Sequence, residues 1–156
     1  MNDTFRLFVD RFNRLAPLAP ATPEDVAYME HELSTALPLS YRRFMTTYGE
    51  VYTPGLLDLI VERQVDLPDV QNISSPREAV EATRAYWSGD APKDLVAFAN
   101  DCMGNVFGFL RQEPGITAPA DAPVYIFDHD FAELRQVASS FESFLAAYVA
   151  IPSGPA

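Results

Sequence analysis

The run Leu95–Leu110, LVAFANDCMGNVFGFL, admits few local folds other than a β-hairpin. In Leu95–Ala99, Val96 and Phe98 point one way while Leu95, Ala97 and Ala99 point the other. In Val106–Leu110, Phe107 and Phe109 share a face opposite Val106, Gly108 and Leu110. Successive side chains leave a strand on opposite faces, so alternation rich in β-branched and aromatic residues marks a strand. Between the runs lie Asn100, Asp101, Cys102, Met103, Gly104 and Asn105. Glycine and asparagine tolerate the positive φ that a tight reversal needs. A third run, VYIFD from Val124 to Asp128, follows the Pro-rich surface connection EPGITAPADAP (113–123). These are the only clear strands, so they are expected to form most of one antiparallel sheet. Helices on either side need such a sheet to bury their apolar stripes. The fold class is therefore α+β: a single domain, with a central, mostly antiparallel sheet flanked by helices.

The helices are read from apolar spacing and end signals. Residues 2–15 place Phe5, Phe8, Val9, Phe12 and Leu15 at helical intervals. APLAPATP breaks that helix, and Thr22-Pro23 supplies an N-cap and a first-turn proline for the next. It runs to about Ala36 and buries Val26, Met29, Leu33 and Leu37. Leu37-Pro38 stops it, because a residue before proline avoids helical backbone. Ser40 caps a third helix with the stripe Tyr41, Phe44, Met45 and Tyr48, closed by Gly49. Residues 50–74 are the least regular part, and Leu56–Val61 reads equally as a short strand or a helical turn. Ser75-Pro76-Arg77-Glu78 and Ser139-Ser140-Phe141-Glu142 are capping boxes. The helix after the first buries Ala79, Val80, Thr83, Tyr86 and Trp87. The helix after the second buries Phe141, Phe144, Leu145, Tyr148 and Val149. The helix after Ser75 and the helix after Ser140 are expected against the sheet. The expected segments are a helix and linker (1–21), a core (22–149) and a frayed tail (150–156).

Charge narrows the partners. The chain has 156 residues, with 11 Lys+Arg against 22 Asp+Glu, a net charge of −11. Phosphates are repelled by such a surface, which disfavours nucleic acid and anionic membranes as direct ligands. The charge favours a cationic partner or serves solubility alone. No apolar run reaches about 18 residues, so no membrane span is expected, and the start lacks the pattern of a signal peptide. A single cysteine fits a reducing, cytoplasmic setting.

Catalytic and metal chemistry find little support. Cys102, His129 and Asn100 or Asn105 resemble a thiol–imidazole–amide set only in composition. A nucleophilic thiolate needs a basic neighbour or a helix N-terminus, whereas Cys102 follows Asp101. On an extended backbone at most Asp128 and Asp130 of Asp128-His129-Asp130 converge, and a closed zinc site needs four ligands. An Asx-type turn at Asp128 or Asp130, with His129 bridging strand end and helix, is the expected role. His31 reads as a solvated residue, Tyr86 and Trp87 as core, and Lys93 is the only lysine. No cofactor, metal or catalytic residue is expected.

Four segments in order carry a family resemblance. LSTALPLSYRRFMTTYGE resembles the Leu-Pro, Tyr, Phe, aromatic-Gly signature of the SUKH superfamily, whose namesake is the fungal Smi/Knr regulator of cell-wall synthesis. FANDCMGNVFGF is similar to its second motif, VYIFDHDF to its third, and SSFESFLAAYV to its terminal helix. The resemblance implies helices packed on a mostly antiparallel sheet. It also implies a non-enzymatic binding module, an immunity protein that neutralises a cognate secreted bacterial toxin, often a nuclease. The alternative it leaves is a regulatory or scaffold protein in cell-wall or stress regulation.

A nuclease presents a basic surface, so the toxin-facing residues are expected among the acids. Glu50, Asp58, Glu62, Asp66 and Asp69 stand against Arg63 alone, giving residues 50–70 a charge of −4. The turn acids Asp101, Asp128 and Asp130 complete the expected partner surface. Loops on a rigid scaffold commonly carry binding.

Overall fold

The computed structural model describes residues 3–113, 115 and 117–153. Asn2 of the first expected helix, Pro114 and Ile116 of the Pro-rich connection, and 154–156 of the tail lie outside the described residues. Three helices open the chain: α1 (Asp3–Phe12), α2 (Pro23–Leu33) and α3 (Leu39–Thr47). Then come β1 (Val51–Tyr52), α4 (Leu56–Arg63), β2 (Asn72–Ile73) and α5 (Pro76–Trp87). The next four elements are strands, β3 (Leu95–Asn100), β4 (Val106–Leu110), β5 (Val124–Asp128) and β6 (Glu133–Ala138), and α6 (Phe141–Val149) closes the fold.

The strands form one sheet in the order β1-β2-β3-β4-β5-β6, each neighbour antiparallel. The hairpin and the third strand are where the sequence put them. The sheet is nevertheless twice as wide as three runs predict. Two of the extra strands have only two residues, too few to alternate. The third, β6, is an edge strand whose residues are half-exposed or exposed, so it lacks the apolar period that marks a buried strand.

The core lies on one face of the sheet. Val96, Phe98, Phe107, Phe109, Val124 and Ile126 are buried there with Phe141, Phe144 and Tyr148 of α6. Tyr41 of α3 reaches the same layer, 5.6 Å from the Phe98 ring and 5.4 Å from Phe109. A register shift between Ala97 and Ala99 brings Ala99 into that cluster. Strict alternation had put it on the opposite face, but one bulged residue reverses the phase of the residues after it. The other face carries a small cluster, Ala91, Leu95, Ala97, Val106 and Phe127, with Tyr86 packed against it.

α5 lies beyond the outward edge of β3, where the short β2 has ended. The Ala97 N–H donates to Thr83 Oγ1 (2.9 Å), and the Thr83 hydroxyl donates to Ala97 O (3.3 Å). Trp87 Nε1–H donates to Leu95 O (2.7 Å). Trp87 is therefore half-buried rather than largely buried, since its indole stands at the sheet margin; Tyr86 is half-buried too. At the far margin Arg14 N–H donates to Tyr52 O (2.8 Å) and Tyr52 N–H to Asn13 Oδ1 (3.1 Å). That contact takes Asn13 and Arg14 out of the first helix, which ends at Phe12.

Helix ends refine the reading by a residue or two. Thr22 and Asp25 form a reciprocal capping box at α2, which ends at Leu33 with Ser34 left-handed. Ser75 accepts from Glu78 N–H, but the Glu78 carboxyl turns to Glu50 instead of closing its box. Burial and that neighbouring acid raise the Glu78 pKa. Ser40 does not cap α3: the helix starts at Leu39, whose N–H and that of Ser40 donate to Pro119 O and Ala120 O. The Pro-rich connection thus does the capping. At α6 the box joins Ser140 and Ser143, and Asp121 accepts from the N–H of Phe141 and Glu142. The tail is docked as far as Ile151, which is buried and whose carbonyl accepts from Arg11. Gly49 at the end of α3 needs its hydrogen: at φ +77° a Cβ would lie 2.1 Å from Ala19 O.

Candidate partner interface

Antiparallel strands in sequence order put their connections alternately at the two ends of the sheet. The β1–β2 segment with α4, the β3–β4 turn and the β5–β6 turn therefore meet at one end. This end collects the acidic segment and both turns that the sequence singled out.

Carboxylates build the turns. Asp101 Oδ1 accepts from the N–H of Met103 (2.8 Å) and Asn105 (2.8 Å), and Oδ2 from the Asn105 amide (2.9 Å). Gly104 takes φ +90°, and its carbonyl accepts from the Tyr86 hydroxyl. Burial and Asp101 both raise the Tyr86 pKa. Asn105 Oδ1 accepts from His129 N–H (3.1 Å) and lies 2.9 Å from His129 Nδ1. His129 thus ties strand end to hairpin turn, where strand end to helix was expected. Asp128 Oδ1 accepts from Asp130 N–H (3.0 Å) and Phe131 N–H (3.3 Å), the expected Asx-type turn. Asp69 Oδ2 accepts from Cys102 N–H (3.3 Å), joining the acidic segment to the hairpin. The Tyr148 hydroxyl donates to Pro68 O (2.6 Å), holding that segment on α6.

The expected site residues separate by burial. Asp58, Glu62 and Asp66 are exposed, the first two one turn apart on α4. Asp130 is exposed and Asp128 half-exposed. Asp69 and Asp101 are only 9% and 6% exposed and spend their carboxylates on backbone amides. Glu50 sits away from this group, by the first turn of α5, where Asn72 donates to it (3.4 Å). Sequence reading passed over Glu133 and Arg135, which line a cleft of about 210 Å³ with Asp69, Asp101 and Asp128. It also passed over the apolar side chains here: Met103 and Phe131 are 66% and 78% exposed, and Val61 of α4 is 67% exposed. The cue for Phe131 was its place in the Asp-His-Asp turn, outside any apolar period.

The reactive groups are engaged structurally. Cys102 is exposed, and its thiol pKa is raised by desolvation and by the carboxylates of Asp69 and Asp101. That is the opposite of what a thiolate nucleophile needs. Among the described residues no hydrogen bond joins Cys102 to His129. The Asp128, His129 and Asp130 ligand atoms do all converge, within 4.8 Å. The expectation that at most the two aspartates converge assumed an extended backbone, whereas the chain turns there. Asp128 Oδ1 holds the turn amides, His129 Nδ1 meets Asn105, and His129 Nε2 lies 3.2 Å from Asp130 Oδ1.

Two further observations come from other proteins. No curated protein matches the chain. The SMI1 / KNR4 family (SUKH-1) matches it over residues 20–147.

The chain belongs to the SMI1/KNR4 family.

The match runs from just before α2 into α6, so it contains the whole sheet and the acidic end. α1 precedes the matched region and packs on α6 through Phe8, whose ring lies 6.2 Å from Tyr148. SUKH-1 proteins include immunity proteins, which bind protein toxins. Among the described residues of this SUKH-1 chain, no helix is long and apolar enough to cross a membrane.

Proposed function

We propose that the chain is a cytoplasmic, non-enzymatic immunity protein that binds and neutralises a secreted bacterial toxin of basic charge, a nuclease among the candidates. The observation that carries this reading is the acid-rich end of the sheet. The β1–β2 segment, which carries the exposed Asp58, Glu62 and Asp66, is bonded through Asp69 to the hairpin turn, and Asp130 is exposed in the neighbouring turn. Arg11 and Arg14 share a cleft with Asp58 and Glu62 and offset part of the α4 charge. A basic active-site surface is drawn to such a face. Charge complementarity acts mainly on the encounter rate.

The test uses the toxin domain encoded beside this chain and the variant D58K/E62K/D66K. Asp69 and Asp101 stay unchanged, because their carboxylates hold the fold. Association is expected to be markedly slower at low salt. The difference should shrink as screening shortens to about 8 Å at physiological ionic strength. An equal low-salt on-rate would remove α4 from the interface; binding that leaves cells unprotected from the toxin would remove the immunity reading.

The non-enzymatic part has its own test. Cys102→Ser should leave toxin neutralisation intact where its melting temperature matches the parent. Loss of neutralisation at unchanged melting temperature would assign the thiol a chemical role.

A further inference from the structure

We infer that Met103 and Phe131 are the apolar anchors of the toxin-facing surface, set to enter a basic partner through its least charged spot. This deepens the immunity reading and rests on it. The two residues occupy neighbouring turns: His129, two residues before Phe131, is bonded to Asn105, two residues after Met103. At 66% and 78% exposed, they spend apolar area in water that the core could have used.

Both are held by the same device. The amide of Met103 donates to Asp101 and the amide of Phe131 to Asp128. Each exposed side chain thus stands on a turn that is fixed before the partner arrives. A preorganised anchor loses less entropy on binding, and interface energy concentrates in a few such residues inside a polar rim. Aromatic residues and methionine are enriched in interface centres, and acids are depleted from them.

Asp128, Asp130 and Glu133 outnumber Arg135 around the turns, so the occupant is a positively charged protein surface. A second copy of this chain, at −11, is repelled. Beside the turns a cleft of about 350 Å³, lined by Tyr86, Phe127, His129 and Asp90, has room for a partner side chain. An aromatic lining that includes one carboxylate, Asp90, suits lysine or arginine.

The experiment is site-specific photocrosslinking in cells that produce both the chain and its neighbour-encoded toxin. A benzophenone amino acid replaces Met103 or Phe131 in turn, with the exposed Leu7 and Leu39 of α1 and α3 as control positions. The expected result is one basic protein crosslinked from 103 and 131 and not from 7 or 39. Adding Phe131→Asp to the position-103 probe should cut that crosslink about tenfold or more, on the scale of a lost hot spot. The melting temperature should not change, since Phe131 is outside the core.

Equal crosslinking from the control positions would overturn the inference, as would a product with a second copy of this chain, indifference to Phe131→Asp, or no product at all. Crosslinks to the toxin from positions 57 or 61 alone would overturn the anchors and keep the immunity reading. A basic partner that is harmless to cells but crosslinks from 103 and 131 would support the surface and end the immunity reading.

Discussion

Replacing Phe141 with alanine should lower stability by about 3–5 kcal/mol, the usual cost of deleting a buried phenyl ring. The ring sits at the first turn of α6 and meets five others: Phe5, Tyr41, Phe44, Phe98 and Phe109, at centroid distances of 5.4–5.9 Å. Those five come from α1, α3 and both strands of the central hairpin. The mutation therefore opens a cavity where four elements meet, and none can close it without pulling on the others. A typical domain holds only about 5–15 kcal/mol in all, so the chemical denaturation midpoint should fall steeply. Phe131→Ala, which removes the same ring from an exposed turn, is the control and should leave the midpoint in place. Equal midpoints for the two variants would mean that Phe141 is not the centre of the core.

Asp101→Ala should cost about 3 kcal/mol, because it strips two backbone amides and a side-chain amide of the buried carboxylate that accepts from them, and hydrogen bonds to charged groups are worth about 1.5–3 kcal/mol each. The donors left behind lie in the turn between β3 and β4, where water reaches some of them, which keeps the loss below the sum of three bonds. Asp101→Asn should lose less, since one oxygen remains to accept. The same denaturation measurement separates them. An alanine variant as stable as the asparagine variant would show that the carboxylate does not organise this turn. Because Met103 and Asn105 hang on Asp101, the alanine variant should also blur the turn that meets His129, visible as new amide shifts at 103, 105 and 129.

The hairpin was legible because its residues obey two rules at once, alternation and turn chemistry. Leu95–Leu110 has both, and so does Val124–Asp128 with the Asp128 turn. β6 was not legible: ELRQVA has one face at solvent and a register shift beside it, so neither rule holds over its length. Ser40 misled because a serine after Leu-Pro looks like a cap, while the real partners of those amides lie some 80 positions later at Pro119 and Ala120. No local rule reaches that far. The acids of the candidate surface could be read off the sequence as a set. Their sorting into exposed Asp58, Glu62, Asp66 and Asp130 and buried Asp69 and Asp101 depends on which connections share an end of the sheet. That is a property of topology. The three-way convergence at Asp128–Asp130 escaped for a related reason: the ligand argument takes the three residues as extended, although the same residues read as an Asx-type turn, and the turn is what brings them together.

The way α5 lies along β3 sets how this sheet can meet other chains. A strand edge invites any extended peptide to extend it, including a second copy of the same protein. Here the first margin is occupied by Asn13 and Arg14, and the uncovered half of β3 by one hydroxyl and one indole. Strand exchange between copies is thereby steered to β6, whose Glu133 and Arg135 discourage a close neighbour. A chain with both margins guarded in this way can stay dispersed at high concentration while one end of its sheet stays open to solvent.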